Sequence, residues 1–73
     1  MNEYDRLRRL AAARKEQFPV GCRVQLVQMD DVQAPPIGTL GTVKGVDDLG
    51  SVMVKWDNGS SLSVTDKDRC VRV

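Results

Sequence analysis

Five glycines, at positions 38, 41, 45, 50 and 59, cut the stretch from Gly38 to Val64 into short valine-rich runs. β-Branched runs between glycine-marked turns specify meandering strands, because glycine supplies the backbone freedom that a tight reversal needs. A strand over residues 40–46 carries Val43 and Val46 three apart, which breaks alternation; a bulge at Lys44-Gly45 restores both to one face and bends the strand. A third strand over 51–56 places Val52, Val54 and Trp56 together. Register then fixes the next turn. A two-residue Asn58-Gly59 loop would send the flanking apolar rows to opposite faces, whereas a three-residue loop over 57–59 pairs Val52 with Val64 and Val54 with Leu62. The sequence therefore predicts a type I turn closed by Gly59 in the left-handed region, then a fourth strand over 60–64. A turn over 65–68 leads to a fifth strand over 69–73, with Val71 and Val73 alternating against Arg72.

Upstream, residues 22–28 alternate as a first strand, with Cys22, Val24 and Leu26 on one side. Residues 29–38 form a long loop stiffened by Pro35-Pro36. Residues 2–17 read as a helix capped by Asn2, with a thin apolar row of Leu7, Leu10 and Ala11 and with Pro19 and Gly21 beyond its end. So thin a stripe would fray alone, so the helix is expected to lie on the strands or to meet a partner. The expected fold is mainly β: a small five-stranded SH3-like barrel over 18–73 with an N-terminal α-helical arm over 1–17.

Composition narrows the chemistry. The chain has 73 residues, no histidine and two cysteines, so histidine-based metal sites and nucleophilic triads are excluded within one chain. Residues 1–17 carry a net charge of +2 and residues 18–73 a net charge of −1. The barrel region is thus not a basic nucleic-acid surface by count. Neither an apolar run of membrane-spanning length nor a signal-peptide core is present, and a cytoplasmic protein is expected.

The segments Phe18-Pro-Val-Gly21, Met29-Asp-Asp, Ala34-Pro-Pro, Gly38-Thr-Leu-Gly-Thr-Val43, Val46-Asp-Asp-Leu-Gly-Ser51 and Trp56-Asp-Asn-Gly-Ser-Ser-Leu62 resemble a small bacterial family, domain of unknown function 4314. More loosely, the arrangement is similar to KOW and Tudor barrels, which bind nucleic acid or protein tails. The family resemblance implies no activity. It implies a bacterial protein of phages or mobile elements.

Candidate site residues divide into two groups. Asp30, Asp31, Pro35, Pro36, Asp47, Asp48, Asp57 and Asn58 stand in loops, where an acidic rim would suit basic side chains of a protein partner. The aspartates would equally serve as acceptors within their own turns, and the two Asp-Asp pairs form one rim only if their loops converge. Trp56 offers a stacking platform or a core side chain. Arg6, Arg8, Arg9, Arg14, Lys15, Lys44 and Lys55 would serve phosphate contact, or simply solvate the helix and the strands. Cys22 and Cys70 lie on first and last strands that neighbour each other, as two buried thiols or, if facing, a disulfide. No metal or cofactor is expected.

The preferred reading is a non-enzymatic module for protein–protein interaction or self-association. A nucleic-acid-binding accessory protein is the alternative, and an oligomer sequestering a small anionic ligand is a further one. An enzyme is disfavoured because only paired aspartates could serve as acid or base.

Overall fold

A computed structural model describes residues 2–73 and contains one helix and four strands: α1 (Glu3–Gln17), β1 (Arg23–Gln28), β2 (Leu40–Val46), β3 (Val52–Trp56) and β4 (Arg69–Arg72). All strand pairs are antiparallel, in the order β3-β2-β1-β4. The chain is mainly β, and its sheet does not close into a barrel.

The valine periodicity sets one buried face. Val24 and Leu26 of β1, Val43 of β2, and Val52, Val54 and Trp56 of β3 are almost wholly buried, joined by Phe18, Met29, Val64 and Cys70. The register of β2 against β3 shifts between Val43 and Gly45, so Lys44 is the bulged residue, as its spacing predicts. Gly41 faces Trp56 across the ladder, and a Cβ there would lie 2.5 Å from Val54 Cγ1 and 2.8 Å from the indole. Glycine at 41 is therefore what leaves room for Val54 and the indole. Gly41→Ala is expected to cost about 1–3 kcal/mol through overpacking, read from the midpoint of urea unfolding.

The turn after β3 has the three-residue form. Gly59 N–H donates to Trp56 C=O at 3.0 Å, Trp56 N–H donates to Ser60 C=O at 2.9 Å, and Gly59 has φ +94°. Val52 and Val64 exchange both backbone bonds. The expected fourth strand over 60–64 is nevertheless absent apart from that one bridge. Two side chains divert its ladder groups: the Trp56 indole N–H donates to Leu62 C=O at 2.9 Å, and Ser60 Oγ accepts from Leu62 N–H at 3.3 Å. The five-stranded arrangement is thus reduced to four strands and a bridge.

The fifth expected strand exists as β4, shortened to Arg69–Arg72, with Val71 alternating against Arg72 as expected and lying on the outer face. Cys70 lies opposite Leu26 and is buried, while Val71 lies opposite Gln25 and is exposed, as is Val73. The 65–68 turn sets this phase: Thr65 donates through both N–H and Oγ1 to Asp68 Oδ2, each at 2.9 Å, and delivers Cys70 inward.

α1 begins at Asn2, whose Oδ1 accepts from Asp5 N–H at 2.8 Å. Acidic Glu3 and Asp5 in its first turn and basic Arg14 and Lys15 in its last suit the helix dipole. Its buried side is small, with Ala11 buried and Leu7 and Leu10 half-buried. It rests on the β2–β3 turn, where Leu10 packs against Gly50, and Phe18 closes its end inside the core. The helix thus docks on the strands, as one of the two expectations has it.

Candidate functional site

The 29–38 loop is anchored from within. Met29 and Pro35 are buried and Ala34 packs on the core. Asp31 Oδ1 accepts from Gln33 N–H at 2.7 Å, and Asp31 C=O accepts from Ala34 N–H at 3.0 Å, which makes a closed turn. Pro36 C=O takes both the N–H and the hydroxyl of Thr39, at 3.0 and 2.6 Å. Leu26 bonds Gly38 and Thr39, extending the β1–β2 hairpin into the loop. Between these anchors Val32 is 102% exposed and Ile37 62% exposed, with Asp30, Asp31 and Gln33 exposed around Val32. Two apolar side chains are therefore held in water by a hydrogen-bonded frame. Burying each against a partner would release about 1.5–3 kcal/mol.

The two Asp-Asp pairs do not form one rim. The loop holding Asp30 and Asp31 enters β2 and the turn holding Asp47 and Asp48 leaves it, so seven extended residues, about 20 Å, separate them. Asp47 is a turn acceptor, its Oδ1 bonded by the N–H groups of Leu49 and Ser51, both at 2.9 Å. Asp48 is exposed and meets Lys15 at 3.4 Å. At the loop's own end of the sheet, Asp57 N–H donates to Leu40 C=O, and Asn58 Oδ1 accepts from Ser60 N–H. Trp56 is 1% exposed and belongs to the core, so it offers no stacking platform.

Asp57 is engaged by a residue that the sequence reading did not single out. The Arg23 guanidinium binds it with two parallel bonds of 2.9 and 2.5 Å and also reaches Thr42 Oγ1. This fork holds the Asp57 carboxyl below its ordinary range. Asp66 and Glu3 are lowered likewise by Arg6, whose guanidinium binds both. Each depressed carboxyl adds stability that is fully present above its unfolded value of about 4 and is lost as pH falls through the lower folded value. Acidification from pH 5 to pH 2 is therefore expected to lower the melting temperature, and less so in Asp57→Asn and Asp66→Asn. Equal acid sensitivity in wild type and both variants would refute this assignment.

The basic set also divides. Arg14 has no freedom for phosphate: Nη1 donates to Gly50, Val64 and Thr65 carbonyls at 2.8, 3.2 and 2.9 Å, and Nη2 to Asp68 C=O at 3.1 Å. Arg6 is committed to Glu3 and Asp66. Arg8 lies over the Tyr4 ring at 5.7 Å, and with Ala11, Ala12, Lys15 and Asp48 these residues line an open groove of about 450 Å³ along the helix. Arg9 stands beside Arg8 on the same exposed side. Lys44 and Lys55 are exposed on β2 and β3.

Cys22 and Cys70 are free thiols. Cys70 pairs with Leu26, four residues along β1 from Cys22, so the two do not face each other across the ladder. Burial pushes the Cys70 thiol up to about 11, and Cys70 is expected to resist thiol reagents at pH 8 that modify Cys22, as peptide mapping would show. Among the described residues, no group of three or more metal-ligating side chains is assembled, and no helix is long and apolar enough to cross a membrane.

The family model for a domain of unknown function, DUF4314, matches residues 6–73. No curated protein and no solved structure matches the chain.

Proposed function

The chain belongs to the DUF4314 family, and from that premise we propose that it is a non-enzymatic module whose 29–38 loop binds a protein partner. The observation that carries this reading is the pair of exposed apolar tips, Val32 and Ile37, on a loop anchored by Met29, Pro35 and the Asp31 and Pro36 turns. A preorganised loop loses little entropy on binding, so its apolar contacts count nearly in full. Asp30, and Asp31 through its second oxygen, favour a partner whose pocket is apolar with a basic rim.

We read the scaffold as an SH3-like meander in which the fourth strand is reduced to the Val64 bridge. The strand order, the bulge in β2 and the 65–68 turn leading into β4 support that reading. The nucleic-acid alternative is weakened because Arg14 and Arg6 are engaged in the fold and Trp56 is buried.

The test compares affinity captures from the native host with wild type, Val32→Asp and Ile37→Ser as bait. Both substitutions lie on exposed tips, so the melting temperature should stay within about 2 °C of wild type. A protein retained by wild type and lost from both variants is the expected outcome. An unchanged set of captured proteins would overturn the assignment of the loop.

A further inference from the structure

The sheet has two edges, and they differ. The β3 edge is covered: Val52 bonds Val64 in both directions and Trp56 N–H bonds Ser60 C=O. β4 is the opposite edge, with β1 on one side only. Val73 N–H donates to Arg23 C=O, which fixes the phase of the β1–β4 ladder. In an antiparallel pair hydrogen-bonded and non-bonded residues alternate, so Val71 and Val73 direct their backbone groups to β1. Cys70 and Arg72 direct theirs away. No backbone bond outside the sheet engages Cys70 or Arg72, and the helix holds the preceding turn through Arg14 on Asp68 C=O. Two N–H and two C=O groups thus form an open template one residue beyond the 65–68 turn and its neighbour Arg69.

The charged side chains of β4 itself carry one sign. Arg69 and Arg72 are exposed and neither forms an ion pair among the described residues. Three residues apart on a strand, they stand on opposite faces of the sheet. Val71, 43% exposed, lies between them on the outer face. Charged residues commonly blunt edges against aggregation, and two arginines do repel a basic strand or a second β4. They have the opposite effect on an acidic one.

We propose that the β4 edge is a second docking surface, which takes an extended acidic segment of a partner protein as an added strand. Backbone bonds to Cys70 and Arg72 supply the pairing, and carboxylates on both faces of the incoming strand meet Arg69 and Arg72. This surface is separate from the 29–38 loop, and the two stand or fall independently.

The test uses a fluorescent peptide of valine and aspartate, about eight residues long, with aspartates three apart, and a control with lysine in their place. Polarisation at low salt is expected to show binding of the aspartate peptide only, weakening as salt rises. Amide exchange should slow at Cys70 and Arg72 when the peptide is added, and not at Val32. Arg69→Glu/Arg72→Glu should weaken binding at least tenfold with an unchanged melting temperature. Arg72→Pro, which removes an outward N–H and spares the β1 ladder, should abolish it. Val32→Asp, which tests the loop, should bind the peptide like wild type. The proposal is overturned by no binding of the aspartate peptide to wild type, by equal binding of the lysine peptide, or by binding that survives both arginine variants. Slowed exchange elsewhere, with none at Cys70 and Arg72, would overturn it as well.

Discussion

Arg14→Ala is expected to destabilise the fold by about 2–4 kcal/mol and to release the helix from the sheet. One guanidinium collects carbonyls from the β2–β3 turn, the Val64 bridge and the 65–68 turn, and so ties α1 to all three. Hydrogen bonds to a charged donor are the stronger kind, and removing this donor leaves four carbonyls to find water. The apolar side of α1 is small, and a released helix of 15 residues is marginal in water. Helical circular dichroism should therefore fall along with the denaturation midpoint. Arg14→Lys keeps the charge but not the planar fork, and should recover less than half of the loss. A variant that keeps its helical signal and melts within 2 °C of wild type would remove Arg14 from this role.

Trp56→Ala should be costlier still, about 3–5 kcal/mol, because it empties the largest buried side chain. That approaches the whole stability of a domain of this size, so the variant is expected to be largely unfolded at 37 °C. Trp56→Phe separates packing from hydrogen bonding. It keeps most of the ring, loses the N–H to Leu62 C=O, and should cost about 1–3 kcal/mol, with faster amide exchange near the 60–64 segment. Trp56 is the sole tryptophan, so its emission should be blue-shifted in the folded chain and move to the red across the same transition. A wild-type spectrum typical of solvent-exposed indole would contradict the buried position.

These residues show where sequence reasoning reached and where it stopped. Alternation in β1, the bulge at Lys44 and the three-residue turn closed by Gly59 are local or nearest-neighbour features, and each was legible from apolar spacing. The fourth strand failed because its backbone partners are side chains, the Trp56 indole and the Ser60 hydroxyl, which a periodicity argument does not weigh. In β4 the more hydrophobic residues took the outer face, because the 65–68 turn, not hydrophobicity, sets the phase. The candidate site was half legible. The long loop stood out by length, but Val32 and Ile37 look like core residues in sequence, and only the anchoring of their neighbours exposes them. Arg14 looked like one charge among several, since nothing local reveals that four carbonyls more than thirty residues away would converge on it.

That long reach has a consequence for how the chain is made. Arg14 leaves the ribosome well before its ligands, the farthest of which, the Asp68 carbonyl, is 54 residues behind it. At about 5–20 residues per second, several seconds pass before the last of its partners exists. During that interval the helix can meet only the β2–β3 turn at Gly50, and Arg6 lacks its Asp66, 60 residues away. Full docking of the helix therefore waits until residues 64–68 have been made. A nascent chain stalled before residue 64 should show the helix as protease-sensitive, and one that has fully emerged should not.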